Sequence, residues 1–335
     1  MNEHVQTLEL NHDKCKVIDH CASALATVLV KQAISESKLR VEGKLPRDPQ
    51  LFRLVTSVGM VGYLADAPIP DDMICCPLVH GARRKPGRSA GLVSRVGAST
   101  KVIAMMNRCL NRFGYVLAPT ATQGYGNLVT EMLINAEEHT TRRDWWVAAY
   151  VDENDGPEQT GVCRIVIFNF GPSLGETLRA KMPPATREEL ESLLDQHKAR
   201  GFPAHFNEDD FWTLAAIQKR VSSKFFGTNR GSGLPAMISA FQRLASDRVP
   251  PKMCLISGRT RILFDKKHQM RRNANRRHRI AFNESNMLAN PPSRDYVHRL
   301  PRVTSFPGTL VSLRFRIDPD HLRELYGRQA SDREP

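Results

Sequence analysis

The chain has 335 residues, of which 41% are hydrophobic and 25% are charged, and this composition excludes disordered and fibrous proteins. Lysine and arginine outnumber aspartate and glutamate by 48 to 35, a balance that attracts phosphate groups. The first residues do not resemble a signal peptide, and no apolar run approaches the roughly 18 residues of a membrane span. The 7 cysteines have no ordered spacing and favour reduced thiols, so we expect a cytoplasmic protein without a membrane segment.

Residues 1–117 predict a small accessory α/β domain. Helical and strand-like patterns alternate in it, and Gly59 and Gly114 close two of the helices. No pattern in this part indicates catalytic chemistry. The predicted elements are helices over Ala22–Ser35, Leu51–Val58 and Val96–Phe113 and strands over Lys38–Gly43 and Met73–Val79. Their order resembles the small STAS-like modules that accompany some bacterial ATPases.

A polar trio follows in the next segment. Glu131, Asn135 and His139 are spaced four residues apart, so a helix places them on one face. These side chains supply a proton acceptor, an oxygen ligand for magnesium and a hydrogen-bond donor to phosphate. The same spacing also fits an ordinary amphipathic helix. An apolar stripe beside the trio, which predicts a position at the edge of a buried seam, consists of Leu128, Met132 and Ala136.

The remaining patterns predict helices packed on one face of a mainly antiparallel sheet, which is an α+β fold. Trp145–Val151 and Cys163–Asn169 are rich in β-forming residues and predict a hairpin. Gly171 follows at a sharp turn where bare backbone can approach a ligand. Three glycines, Gly227, Gly231 and Gly233, precede an apolar helix, whose positive end attracts phosphates. Further elements are helices over Thr186–Lys198 and Asp209–Arg220 and strands over Met253–Ser257, Arg261–Phe264 and Phe306–Ile317.

Four of these signatures together resemble the Bergerat-fold ATPases, also called GHKL proteins, which include gyrase, Hsp90, histidine kinases and the mismatch-repair ATPases. They are Glu131-x-x-x-Asn135, Asn169-x-Gly171, the glycines at 227, 231 and 233, and Gly308-Thr309. The resemblance implies an ATP-binding α/β sandwich over residues 118–320. It also implies a lid over 174–230, a basic insertion over 265–300 and a tail over 321–335.

The resemblance further implies ATP and Mg²⁺ as ligands. Asn135 would be the magnesium ligand, and Glu131 would be the catalytic base that orients the attacking water. The backbone at Gly231 and Gly233 would hold the β and γ phosphates, and Thr309 would lie near the adenine. The implied cofactor-binding residues are Asn135, His139, Asn169, Gly171, Gly227, Gly231, Ser232, Gly233, Leu234 and Thr309.

Two positions depart from the family pattern. Asn169 stands where the family has an aspartate that reads adenine, and Ser173 stands where it has a glycine. An asparagine carbonyl can accept from the adenine amino group, and its amide can donate to a guanine carbonyl. The sequence therefore leaves the choice between ATP and GTP open.

Three functions follow as hypotheses. The first is magnesium-dependent ATP binding with slow hydrolysis, in which lid closure is a nucleotide-gated switch and the protein acts with a protein partner or as a homodimer. The second is a serine/threonine protein kinase that resembles the anti-sigma-factor kinases. The third is nucleotide-regulated binding of nucleic acid through a basic cluster, which consists of Lys266, Lys267, Arg271, Arg272, Arg276, Arg277 and Arg279.

Overall fold

The computed structural model describes residues 7–37, 39–64, 68–82, 92–112, 114–138, 144–152, 161–218, 221, 233–243, 251–272 and 278–317. The strands are β1 (Thr7–Asn11), β2 (Arg40–Lys44), β3 (Cys75–Ala82), β4 (Asp144–Asp152), β5 (Val162–Phe170), β6 (Lys252–Gly258), β7 (Thr260–Phe264), β8 (Arg271–Arg272), β9 (His278–Arg279), β10 (Val297–Arg299) and β11 (Phe306–Arg316). The helices are α1 (His20–Ser37), α2 (Pro49–Ser57), α3 (Val61–Leu64), α4 (Arg95–Asn111), α5 (Pro119–Glu138), α6 (Leu174–Lys181), α7 (Pro184–Arg200), α8 (Glu208–Ala216) and α9 (Gly233–Arg243), and a 3-10 turn covers Arg302–Thr304.

An antiparallel sheet of 7 strands lies at the centre of the described structure, in the order β10-β7-β6-β11-β5-β4-β3. The predicted hairpin is confirmed, because β4 and β5 pair antiparallel from Trp146 opposite Phe168 to Asp152 opposite Val162. The last strand, β11, inserts between β5 and β6 and pairs with both. Sheet and helices together confirm the predicted α+β class.

The larger helical layer covers one face of this sheet. Strand residues two apart point to the same face, and Ile165 and Ile167 of β5 and Leu313 of β11 pack there against the helices. The helices α4, α5, α6, α7, α8 and α9 contribute buried residues to this core. Helix α5 contains the predicted segment with Glu131 and Asn135, so the helical prediction for that segment is confirmed.

A smaller layer covers the opposite face, which the sequence analysis had left uncovered. Ala24 and Val28 of α1 and Val55 of α2 pack there against Trp146, Phe168 and other residues of alternate strand positions. Strands β4 and β5 therefore contribute side chains to the cores on both faces. The middle of the sheet, at β4, β5 and β11, is covered by helices on both sides.

The boundary predicted at residue 117 does not separate two packing units. Strand β3 pairs with β4, and Met105 and Met106 of α4 are buried in the same core as Leu133 of α5. Among the described residues of the N-terminal part, only the parallel pair of β1 and β2 forms a sheet of its own. The reason is non-local strand pairing, which leaves no trace in the local pattern. The predicted helices and strands of this part are otherwise found at α1, β2, α2, β3 and α4.

The predicted lid over 174–230 also needs correction, because its described part, 174–218, belongs to the core. Phe206, Phe211 and Trp212 are buried in the main cluster. Buried His197 has its Nε2 2.7 Å from the carbonyl oxygen of Leu288. Helices α6, α7 and α8 therefore pack as part of the main helical layer in this structure. Of residues 219–230, only Val221 lies inside the described part of the chain.

The basic insertion predicted over 265–300 is likewise mostly packed structure. Phe282 and Val297 are buried, and β10 extends the central sheet. Arg279 is buried and lies 3.5 Å from Glu189, so this member of the basic cluster is committed to an ion pair and is not a surface contact. Lys266, Lys267 and Arg271 are exposed. Arg272 lies in β8, and Arg276 and Arg277 fall outside the described residues.

Within the described residues, no helix combines the length and the apolarity that crossing a bilayer requires.

Candidate functional site

Helix α5 brings Asn135 to the edge of the main core. Leu128, Met132 and Ala136 are buried, as the apolar stripe predicted, and they hold this side of α5 against the sheet. Asn135 lies beside Met132 and Ala136 and lines a narrow cavity with them. The predicted position at the edge of a buried seam is confirmed for Asn135. Glu131 lies one turn earlier and is partly exposed.

Strands β5 and β11 form the opposite wall and place Asn169 beside Thr309. These two residues are direct partners in the antiparallel register. Because strand side chains alternate, Asn169 shares the face of Ile167, and Thr309 shares the face of Val311. Gly308 makes this approach feasible, since a Cβ atom there would lie 2.0 Å from the carbonyl oxygen of Asn169.

The cavity between these walls has a volume of about 10 Å³ and carries no charged residue in its lining. Its free space is about that of one water molecule, so a larger ligand enters only when the side chains of α5 and α9 move apart. Methionine side chains, which adapt their shape readily, stand on both helices. The lining residues are Met132, Asn135, Ala136, Ile167, Asn169, Leu174, Leu234, Met237, Thr309 and Val311.

Three buried amide atoms of the two asparagines in this cavity have no hydrogen-bond partner in the described structure. Asn169 is 0% exposed, and neither its Nδ2 nor its Oδ1 finds a partner in the described structure. The Nδ2 of Asn135 is buried and unpartnered as well. A buried polar group without a partner costs about 1–3 kcal/mol, so native proteins rarely keep one without a reason. A ligand that supplies the missing partners is such a reason.

A pair of hydroxyl groups borders the amide of Asn169. The Oγ of Ser257 and the Oγ1 of Thr309 lie 2.9 Å apart, and either can be the donor. Ser257 Oγ also accepts from the backbone N–H of Leu174 at 2.8 Å, which fixes the start of α6 at the edge of the site. Ser257 was not predicted from the sequence. The feature that could have indicated it is a serine on the inward face of a strand whose other inward residues, Met253 and Leu255, are apolar.

The turn after β5 explains one departure from the GHKL pattern. Ser173, in the place of a glycine, is the N-cap of α6 and forms a capping box with Glu176. Its Oγ accepts from the Glu176 N–H at 3.2 Å, and the Glu176 carboxylate accepts from the Ser173 N–H at 2.7 Å. Gly171 donates its N–H to Pro307 at 3.1 Å and does not line the cavity. Ser173 therefore has a structural role at this position.

The glycine-rich signature is only partly within the described residues. Helix α9 begins at Gly233, and Leu234, its second residue, lines the cavity, so the N-terminal end of this helix borders the site. The predicted site residues that fall outside the described part are His139, Gly227, Gly231 and Ser232. The structure thus brings together Asn135, Asn169, Leu234 and Thr309 from four separate elements.

A metal could be held at this end of α5. In the described part of the chain, no three His, Cys, Asp or Glu side chains form a metal-binding group. A magnesium ion that is carried by phosphates needs only one or two protein oxygens. The carboxamide of Asn135 and the carboxylate of Glu131 are oxygen ligands of that kind.

Comparison of the chain with protein-family models, curated proteins and solved structures gives no match.

Proposed function

We propose that this protein binds Mg-ATP in the cavity between α5, α9 and the ends of β5 and β11. The observation that carries the proposal is a group of three buried amide atoms without partners, the Nδ2 of Asn135 and the Nδ2 and Oδ1 of Asn169, on residues that line one cavity. The resemblance of four sequence signatures to the GHKL ATPases supports the same ligand. Seven free thiols support a place in the reducing cytoplasm.

Each wall of the cavity would bind a different part of the nucleotide. Asn169, with Thr309 beside it, would pair with the edge of the purine. The first backbone N–H groups of a helix have no partner within the helix and carry a partial positive charge, so the N-terminal end of α9 would suit the phosphates. Asn135, on the facing helix, would supply an oxygen to the magnesium ion that the phosphates carry.

Hydrolysis requires a base that orients water toward the terminal phosphate. Glu131 lies one turn before Asn135 on α5, so its carboxylate and the metal ligand belong to one rigid element. Nothing else in the proposal depends on Glu131.

The switch in this proposal is the distance between α5 and α9. A purine can enter only when Leu234 and Met237 move away from Met132 and Ala136, because the closed cavity holds about one water molecule. Nucleotide would therefore select an arrangement in which α9 is displaced. A ligand shifts such an equilibrium only by its difference in affinity for the two states.

The test is calorimetry with Mg-ATP, followed by a phosphate-release assay on two variants. We expect Glu131→Ala to bind ATP within about threefold of the wild type and to lose hydrolysis by at least about 100-fold. Asn135→Ala should lose the magnesium-dependent part of binding. Glu188→Ala and Asn111→Ala make the same changes at exposed positions and should alter neither property. Wild-type hydrolysis in Glu131→Ala would remove the assigned base, and no binding heat in the wild type would remove the function.

Labelled ATP in the same assay separates hydrolysis from phosphotransfer. An ATPase releases the label as free phosphate, whereas a protein kinase leaves it on a partner protein. Because Glu131 is the residue that favours water as the acceptor, we propose hydrolysis. Label retained on protein in the wild type would favour the kinase.

A further inference from the structure

The amide of Asn169 is not locked in either of its two orientations. Its Nδ2 and Oδ1 are both unpartnered, so a half turn about the last side-chain bond exchanges donor and acceptor without breaking a hydrogen bond. Gln218 shows the opposite case in the same molecule. Its Nε2 donates to the carbonyls of Leu214 and Ile280 at 2.7 and 2.9 Å, and its Oε1 accepts from the Ile280 N–H at 2.9 Å.

The groups beside Asn169 do not impose a polarity on it either. Thr309 can donate to Ser257 or accept from it, since both are hydroxyls 2.9 Å apart. No residue in the cavity lining carries a charge. The wall that faces the base edge thus consists of one amide and one pair of hydroxyl groups, and each can exchange its donor and acceptor positions.

The two classes of purine present opposite polarity to such a wall. A 6-amino purine donates from its amino group and accepts at the neighbouring ring nitrogen. A 6-oxo purine accepts at its oxygen and donates from the neighbouring ring N–H. An amide matches either edge with two hydrogen bonds, in one orientation or the other. A carboxylate only accepts, so at the same position it pairs with one group of either edge, the amino group of the first class or the ring N–H of the second, and opposes the other group.

We infer that the site takes purine nucleoside triphosphates of both the 6-amino and the 6-oxo class, and that Asn169 is the residue that permits this. The inference rests on the proposed function and adds the ligand class to it. A site built with fixed polar groups rejects a mismatched ligand by up to about 10⁴-fold, because its buried groups then lose their partners. Reorientation of Asn169 avoids that loss for both classes.

The experiment compares ATP, ITP and GTP by calorimetry on the whole chain with excess Mg²⁺. ITP carries the 6-oxo group without the 2-amino group, so it tests the edge that Asn169 would pair with and not the space around C2. We expect the better of ITP and GTP to bind within about thirtyfold of ATP. If ATP binds and both 6-oxo nucleotides are weaker than that, the inference is overturned while the proposed function stands. If none of the three binds, both are overturned.

Two variants assign the effect to the side chain. Asn169→Asp should weaken ATP and the 6-oxo nucleotides by at least about tenfold each, because the carboxylate offers no donor to the ring nitrogen of the first class or to the oxygen of the second. Asn169→Ala should also weaken ATP and the 6-oxo nucleotides by similar factors. Wild-type affinity for both classes in a folded Asn169→Asp protein would contradict the role of Asn169. Because a buried carboxylate can prevent folding, the wild-type comparison decides the inference by itself.

Discussion

Two groups of buried polar side chains lie in the main helical layer, and they differ in how their hydrogen bonds are satisfied. At α8, Asp210 accepts from Thr260 Oγ1 at 2.7 Å, from the Asn207 N–H at 2.9 Å and from Arg299 at 3.3 Å. At the cavity, Asn135 and Asn169 keep polar atoms without partners in the described structure. The hydrogen bonds of the first group are satisfied within the protein, and those of the second are not.

The difference separates a structural role from a binding role. Burial raises the pKa of the Asp210 carboxyl, and hydrogen bonds from Thr260 and Arg299 oppose that rise. Such a network stabilises the fold only as long as all its members are present. Unpartnered amides contribute no such stability, so their removal should cost binding and not folding. Each prediction below tests one side of this comparison.

The largest effect on stability should come from Asp210→Ala. Removal of the carboxylate takes a buried partner from Thr260 and from Arg299, which keeps Asp209 at 3.2 Å, so the loss should be about 3 kcal/mol, the low end for a broken buried pair. Urea unfolding should show the loss, while Asp195→Ala, an exposed acid on α7, should change stability by less than about 0.5 kcal/mol. Equal stability of the two variants would mean that the network at α8 has no structural role.

A second effect should appear as a dependence of stability on pH through His20, an unpartnered group on the other face of the sheet. Burial lowers the pKa of His20 from 6.5 to about 4, and its Nε2 has no partner. The unfolded chain therefore binds the proton more tightly than the folded chain. The contribution of neutral His20 to the free energy of unfolding is fully present above pH 6.5 and is lost as the pH falls from 6.5 through about 4. The total loss should be about 3 kcal/mol.

The variant His20→Gln isolates this contribution. It should lack the part of the pH dependence that the wild type shows between pH 6.5 and 4. Other histidines, such as His197, titrate in both proteins, so the difference between the two unfolding curves reports His20 alone. Parallel curves for the wild type and the variant would show that His20 is not a buried neutral group.

The smallest change in stability, with the largest change in binding, should come from Asn169→Leu. An apolar side chain of similar size removes two unpartnered polar atoms, so stability should stay equal or rise by about 1 kcal/mol. Nucleotide binding should fall by at least about 100-fold. Asn207→Ala is the control at a second asparagine. Asn207 caps α8, so its replacement should lower the free energy of unfolding by about 1–2 kcal/mol. A loss above about 2 kcal/mol in Asn169→Leu would make Asn169 a structural residue.

The local patterns predicted most elements but not all of them. Helix α5, the β4 and β5 hairpin and the closing strand follow from spacing that recurs every three to four or every two residues. Helix α6 was missed, because the Gly171-Pro-Ser173 turn concealed a start signal that Ser173 and Glu176 do carry. The boundary at 117 was wrong because β3 pairs with a strand far along the chain, and such pairing depends on the whole core.

The sequence by itself determined which residues share a helix face or a strand face: Asn135 with the stripe of α5, Asn169 with Ile167, and Thr309 with Val311. These relations depend only on the backbone periods of helix and strand. Only the tertiary structure decided that β11 lies beside β5 in the register that places Thr309 next to Asn169, and that α5 and α9 close over them. The reason is that pairing and layering are set by burial across the whole molecule, which no short stretch of residues specifies.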